Sequence, residues 1–272
     1  MKISTCLSLD HGIFPAIPFQ GDVENNIKKI KEIGFDGIDL MIGDPDTVDR
    51  ANIIRAIVDS GFVIPAIGTG KAWSDEGLSF TDPNKDIREQ ALRRIEGHLR
   101  FAAEAESQVI IGLMRGILQP GVSLEQARYW MNEAFKYCMD EAERLEVRVA
   151  VEPINRYETT LINTISEGLE LIETVGSKRL GLLIDSFHMN IEEPIIRDSV
   201  LAAGDTIYHV HYADSNRLYP GRGHFDFRGM IKALMDTGYQ GFISGEHLPD
   251  PDPAQAVKAG MEYMKKTIKD LT

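Results

Sequence analysis

Glu152, Asp185, His211 and Glu246 close four successive apolar segments in the second half of the chain, VRVAVE, LGLLID, IYHVH and GFISGE. The gaps between them are 33, 26 and 35 residues, each about one strand-plus-helix unit. A single acid at a strand end is ordinary and usually structural. Three carboxylates and one imidazole at the same place in four consecutive repeats describe a site. Such a donor set is hard and oxygen-rich, so it suits one divalent metal ion better than a structural zinc, which favours Cys and His. Mn²⁺, Co²⁺ and Mg²⁺ are all acceptable to these ligands. Burying three such acids without a cation would be very costly.

The elements that must position these residues are legible along the whole chain. Apolar runs of strand length fall at Ile3–Ser8, Gly37–Met41, Phe62–Ile67, Val109–Met114, Val147–Glu152, Leu180–Asp185, Ile207–Tyr212 and Phe242–Glu246. Their apolar character is continuous, as expected of parallel strands covered on both faces. Amphipathic segments separate them. Leu124, Ala127, Met131, Ala134, Cys138, Ala142 and Leu145 form one helical stripe, with Glu125, Arg128, Glu133, Lys136 and Glu141 away from it. Ser123 with Gln126, and Thr164 with Glu167, have capping-box spacing. Gly34, Gly61, Gly176, Gly204 and Gly238 stand where helices should terminate.

Eight strand–helix repeats predict a single (βα)8 TIM barrel over residues 1–272. The competing doubly wound sheet is weakened because LSLDHGIFP, after the first strand, lacks a glycine-rich phosphate turn. In a barrel the strand ends converge on one mouth, so the four ligands should meet there.

Composition narrows the function. The net charge of −13 disfavours nucleic acid, whose binding requires clustered Lys and Arg. Two cysteines, Cys6 and Cys138, offer neither a disulfide framework nor a thiolate metal site. No apolar stretch is long enough to cross a membrane, and the N-terminus has no basic-then-apolar leader pattern, so the expectation is a soluble cytoplasmic protein.

The loops after the last strands are rich in polar groups: EPINRYE at 152–158, DSFHMNIEE at 185–193, and HYADSNRLYPGRGHFDF at 211–227. Together with the SGEH at 244–247, these stretches resemble the D-tagatose 3-epimerase group of the sugar phosphate isomerase/epimerase superfamily, the xylose isomerase-like TIM barrels. The resemblance covers essentially the whole chain. It implies that Glu152, Asp185, His211 and Glu246 hold the metal and that Glu152 and Glu246 also exchange the proton. Glu158, His188 and Arg217 match positions that hold the ketose around O1 to O3. It further implies a homo-oligomer, a dimer or a tetramer.

The first half departs from the free-ketohexose pattern. The first strand ends in Ser8-Leu9-Asp10-His11-Gly12 rather than in aromatic residues, the third in GTGKAW with Lys71, and the fourth in IGLMRG with Arg115. These features resemble the 5-keto-L-gluconate (ketouronate) epimerase branch. Arg115 and Lys71 are then expected to receive a sugar carboxylate, since guanidinium and carboxylate pair bidentately. The plainer expectation for Arg115 is a salt bridge at a loop surface.

The function expected is epimerisation at C3 of a ketose or keto-uronic acid, of the 5-keto-L-gluconate/D-tagaturonate or the D-tagatose/D-psicose type, through a cis-enediolate. Inosose dehydratase and hydroxypyruvate isomerase are alternatives on the same metal set. An endonuclease IV-like phosphodiesterase would need more histidines and a basic surface than seven histidines and an acidic chain provide. A non-catalytic sugar-binding barrel would be expected to lose Glu152 or Glu246, and both are present.

Overall fold

A computed structural model describes residues 1–272. Nine parallel strands form one sheet: β1 (Lys2–Ser8), β2 (Phe19–Gln20), β3 (Gly37–Met41), β4 (Ile67–Gly68), β5 (Val109–Ile111), β6 (Val149–Val151), β7 (Leu180–Asp185), β8 (Ile207–Tyr212) and β9 (Phe242–Gly245). Strands β1 and β3 to β9 pair in sequence order, and β9 closes back onto β1, which makes an eight-stranded parallel barrel. The short β2 pairs only with the end of β1 and lies outside the eight-strand circuit.

Eight longer helices follow the strands: α1 (Val23–Ile33), α2 (Arg50–Asp59), α4 (Lys85–Glu104), α5 (Leu124–Arg144), α6 (Ile165–Val175), α8 (Ile196–Ala203), α9 (Phe227–Asp236) and α10 (Pro253–Lys269). Two short ones, α3 (Gly70–Ser74) and α7 (Ser186–Glu192), sit directly after β4 and β7. The capping box at Thr164 and Glu167 is complete, whereas Ser123 accepts from the Gln126 amide without a reciprocal bond. Along α5 the expected stripe is buried from Ala127 to Ala142, while Leu124 is exposed.

The third apolar run is shortened. Only Ile67–Gly68 is strand, with a single bridge from Val63 to Gly37, because Pro65 has no N–H to give the ladder. The fourth run ends early for another reason: Leu113–Arg115 winds into a 3-10 turn. At β8, Leu182 pairs with Ile207 but Leu183 pairs with His209, so Tyr208 is bulged. Beyond the bulge Val210 and Tyr212 join the apolar layer under the helices, and the alternating His209 and His211 face the barrel interior.

One cluster of 57 buried apolar residues fills the space between strands and helices. Inside the barrel a small apolar cluster of Ala66, Ile110, Ala150 and Leu183 lies beside a polar layer. That polar layer includes Asp39, His209 and Ser244, all fully buried, beneath the open mouth.

Candidate active site

Asp185, the last residue of β7, also caps α7. Its Oδ1 accepts the Phe187 and His188 amides at 2.7 and 3.2 Å, which leaves Oδ2 buried without a partner. His211 presents Nε2 to Asp39 at 3.4 Å and leaves Nδ1 equally unpartnered. Glu152 and Glu246 follow β6 and β9 directly. One donor atom from each of Glu152, Asp185, His211 and Glu246 lies within 4.8 Å of every other. Two orphaned buried atoms aimed into a set of three carboxylates and one imidazole fit a divalent cation.

The electrostatics agree. Burial, then the nearby Glu246 charge, pushes the Glu152 carboxyl up to about 8. Burial also raises Glu246, against the pull of His211 and Arg217. Burial alone would lower His211, but Glu246, Asp39 and Glu152 carry it up to about 9. The protein side alone is thus a crowded anionic cluster that protons must relieve.

Around it stand further polar groups that line the cleft. Burial, helped by Arg217, lowers His188 to about 3 against the pull of Asp185, so its imidazole is neutral. Asn155 donates to His188 Nδ1 at 2.8 Å, which puts the imidazole hydrogen on Nε2. That nitrogen is 3.8 Å from Glu152. The same Asn155 amide donates to Glu158 at 2.8 Å and so sets two cleft residues together. Arg217 donates to Glu246 Oε2 at 2.8 Å and lies 3.8 Å from Glu158. Its guanidinium is held over the rings of Phe14 and Phe187, 5.0 and 4.7 Å from their centroids.

Arg217 owes its place to a loop folded around Asp214, whose carboxylate accepts the Ser215, Gly221 and Phe225 amides at 2.7, 2.8 and 3.1 Å. A Cβ at Gly223 would lie 2.3 Å from that carboxylate, so only glycine closes the loop. Gly112 is constrained in the same way, because a Cβ there would come within 2.9 Å of Glu152 Oε2.

The cleft above the cluster is lined by Glu152, Glu158, His188, His211, Arg217 and Glu246. Lys71, on α3, lines the same cleft with Trp73 and Phe14. Its ammonium is 3.0 Å from both Asp10 and Asp75.

Arg115 requires a correction. It is fully buried, does not line the cleft, and makes no surface salt bridge. Its guanidinium donates to the carbonyls of Leu161, Gly112 and Ile162 at 2.8, 2.9 and 2.8 Å. Those bonds tie the loop after β5 to the segment after β6, and burial outside the cleft lining keeps the two remaining N–H groups away from a sugar carboxylate. Ile162, a β-branched residue at φ 59°, depends on such a tie to hold a strained backbone.

Asp39 was not anticipated. A buried acid inside the otherwise apolar GIDLM run was the available signal, as was the second histidine in IYHVH.

The eight parallel strands close a (βα)8 TIM barrel whose mouth gathers three carboxylates and one imidazole, a donor set that would fit a metal ion. Residues 27–267 match the Xylose isomerase-like TIM barrel family, and the chain belongs to it. A probable ketose 3-epimerase of Synechocystis sp. is 30% identical over 235 residues, covering 84% of this chain and 79% of that protein. An L-ribulose 3-epimerase of Methylomonas sp. is 38% identical over 214 residues, covering 78% and 74%. The crystal structure of 3-keto-D-glucoside 4-epimerase from Escherichia coli superposes with a TM-score of 0.82 at 26% identity, covering 98% of this chain and 99% of that one. These relatives are all epimerases, and the kinship places this chain among the isomerases.

Proposed function

We propose that the protein is a metal-dependent epimerase that inverts C3 of a ketose. The observation that carries the reading is the convergence of Glu152, Asp185, His211 and Glu246, with Asp185 Oδ2 and His211 Nδ1 buried and unpartnered. Those four residues would hold one divalent ion, Mn²⁺ in the first place, with Co²⁺ or Mg²⁺ as alternatives. Bound there, the ion supplies Lewis-acid stabilisation for the charge that develops when a C–H beside a ketone is lost.

The remaining chemistry belongs to side chains. Glu152 and Glu246 enter from β6 and β9, which β7 and β8 separate, so they approach the substrate from two sides of the mouth. One carboxylate takes the C3 proton and the other returns a proton to the opposite face, which inverts the centre through an enediolate. Burial that lifts both glutamates toward neutral pH equips them for either role. The His188 Nε2–H donates to the substrate oxygen that becomes negative, and Arg217 adds charge to the same region while orienting Glu246. Glu158 accepts hydroxyls of the sugar.

Lys71 contacts the part of the sugar away from the ligand cluster. Asp10 and Asp75 balance its charge, and Arg115 is committed to backbone carbonyls, so a neutral ketose fits better than a keto-uronic acid. The test is a panel of tagatose, fructose, psicose, ribulose, tagaturonate and 5-keto-L-gluconate with added Mn²⁺, assayed for the C3 epimer of each. Turnover of a neutral ketose that disappears in Glu152→Gln and Glu246→Gln supports the proposal. Conversion of none of the six, or full activity in either variant, refutes it.

A second reading rests on the Escherichia coli neighbour, whose name places the inversion at C4 of a 3-keto-glucoside. C4 of such a sugar is also adjacent to a ketone, so the same two glutamates would serve. A 3-keto-glucoside added to the panel separates the readings. The protein is further proposed to be a cytoplasmic homo-oligomer, dimer or tetramer. Light scattering on the eluted protein tests its mass in solution, and cell fractionation tests its location.

A further inference from the structure

Asp39 lies in the middle of β3, fully buried, with its side chain inside the barrel. Its Oδ2 is 2.6 Å from His209 Nε2 and 3.4 Å from His211 Nε2. Strands β3 and β8 are not neighbours in the sheet, so these bonds cross the barrel interior. A buried carboxylate is costly unless partners satisfy it, and here the partners are the His211 imidazole of the cluster and its twin two residues away. A plain structural crossbar would need only the shorter bond, to His209.

An ionised carboxylate can only accept, so each histidine must present Nε2–H to it. In a neutral imidazole that leaves the lone pair on Nδ1. For His211, Nδ1 is the atom that faces Glu246, at 3.8 Å, and has no hydrogen-bond partner. The opposite tautomer would set a lone pair against the Asp39 carboxylate and a hydrogen toward the ligand cluster. His209 Nδ1 also lacks a partner, but His209 is no member of the cluster. His209 holds Asp39, and Asp39 holds His211.

We propose that Asp39 is a positioning residue for the metal site: its carboxylate fixes the His211 ring and tautomer so that Nδ1 is the ligand atom, with His209 bracing Asp39 from the side. This rests on reading Glu152, Asp185, His211 and Glu246 as the metal site. Carboxylates that orient metal-bound histidines typically change metal affinity about 10- to 100-fold when replaced.

The test compares wild type, Asp39→Asn and His209→Gln by Mn²⁺ titration without substrate, following the resonance of the free ion. Asn keeps the shape but not the charge, whereas Gln at 209 still offers an N–H to Asp39. Asp39→Asn is expected to weaken Mn²⁺ binding about 10- to 100-fold, with His209→Gln much closer to wild type. A melting curve of each metal-free protein shows whether the variants are folded. Should Asp39→Asn fail to fold, nitrogen-15 histidine spectra of Mg²⁺-loaded wild type decide: His211 must carry its hydrogen on Nε2. Unchanged affinity in Asp39→Asn, equal weakening in both variants, or a hydrogen on His211 Nδ1 overturns the proposal while leaving the metal site intact. Wild type that binds no Mn²⁺ overturns the metal site, and this role with it.

Discussion

Replacing Arg115 with Met should damage stability far more than specificity. The side chain is fully buried and satisfies three backbone carbonyls, those of Gly112, Leu161 and Ile162, at 2.8 to 2.9 Å. Met fills similar space but donates nothing. Each buried acceptor left without a partner costs about 1–3 kcal/mol. Removing the guanidinium also removes its own desolvation cost, which is visible in a pKa that burial pulls down to about 10. The Gly112 and Ile162 carbonyls keep the backbone amides of Arg115 and Ile154, so only the Leu161 carbonyl is orphaned and the net loss is about 2 kcal/mol. In a chain of this size that corresponds to a fall of roughly 4–8 °C in Tm. Calorimetry measures it, and kcat/KM for one neutral ketose and one keto-uronic acid measures selectivity. The ratio of the two should stay within about twofold, because no contact with a substrate carboxylate is lost. A lost carboxylate clamp would instead weaken the acid alone by about 10- to 100-fold, at the strength of a charged hydrogen bond. An unchanged Tm with loss confined to the acid would refute the burial argument.

Three further outcomes follow from the site. Metal affinity should rise with pH: Glu152 at about 8 and His211 at about 9 must both lose protons before they ligate, so affinity is weakest below pH 8 and levels off above 9. Calorimetric titrations of Mn²⁺ in buffers of different ionisation enthalpy should show proton release near pH 7, and none would contradict the assignment. Asp214→Ala removes the acceptor of three loop amides and should raise KM and lower kcat together, since Arg217 is then free to leave Glu246; steady-state kinetics with an unchanged Mn²⁺ affinity would show it. Lys71→Met should lower kcat/KM for neutral and acidic sugars by similar factors, and a selective loss of acidic substrates would restore the carboxylate role for that lysine.

The barrel and the convergence of Glu152, Asp185, His211 and Glu246 were legible because both are written locally. A continuous apolar run marks a parallel strand, and its last residue must open on the mouth. Pro65 shows the limit of that rule: apolar residues alone read as a strand through Phe62–Ile67, yet a missing N–H confines the ladder to Ile67–Gly68. Arg115 was misread because its partners, Leu161 and Ile162, lie 46 and 47 residues away and are carbonyls, which every residue possesses. Asp39 was hidden for a related reason. Its partner His209 is 170 residues distant, and only barrel closure brings β3 and β8 face to face across the interior. Spacing along the chain reveals residues that share a strand end, not those that meet across a core.

The most direct test of the central claim is epimerisation in deuterium oxide by the Mn²⁺-loaded protein, with the product examined by proton NMR. Proton abstraction by one glutamate and return by the other predicts one deuterium at the inverted carbon and none at the other carbons, with no epimerised product from Glu246→Gln. Product that is epimerised yet free of deuterium at that carbon, or epimerisation undiminished in Glu246→Gln, would contradict it.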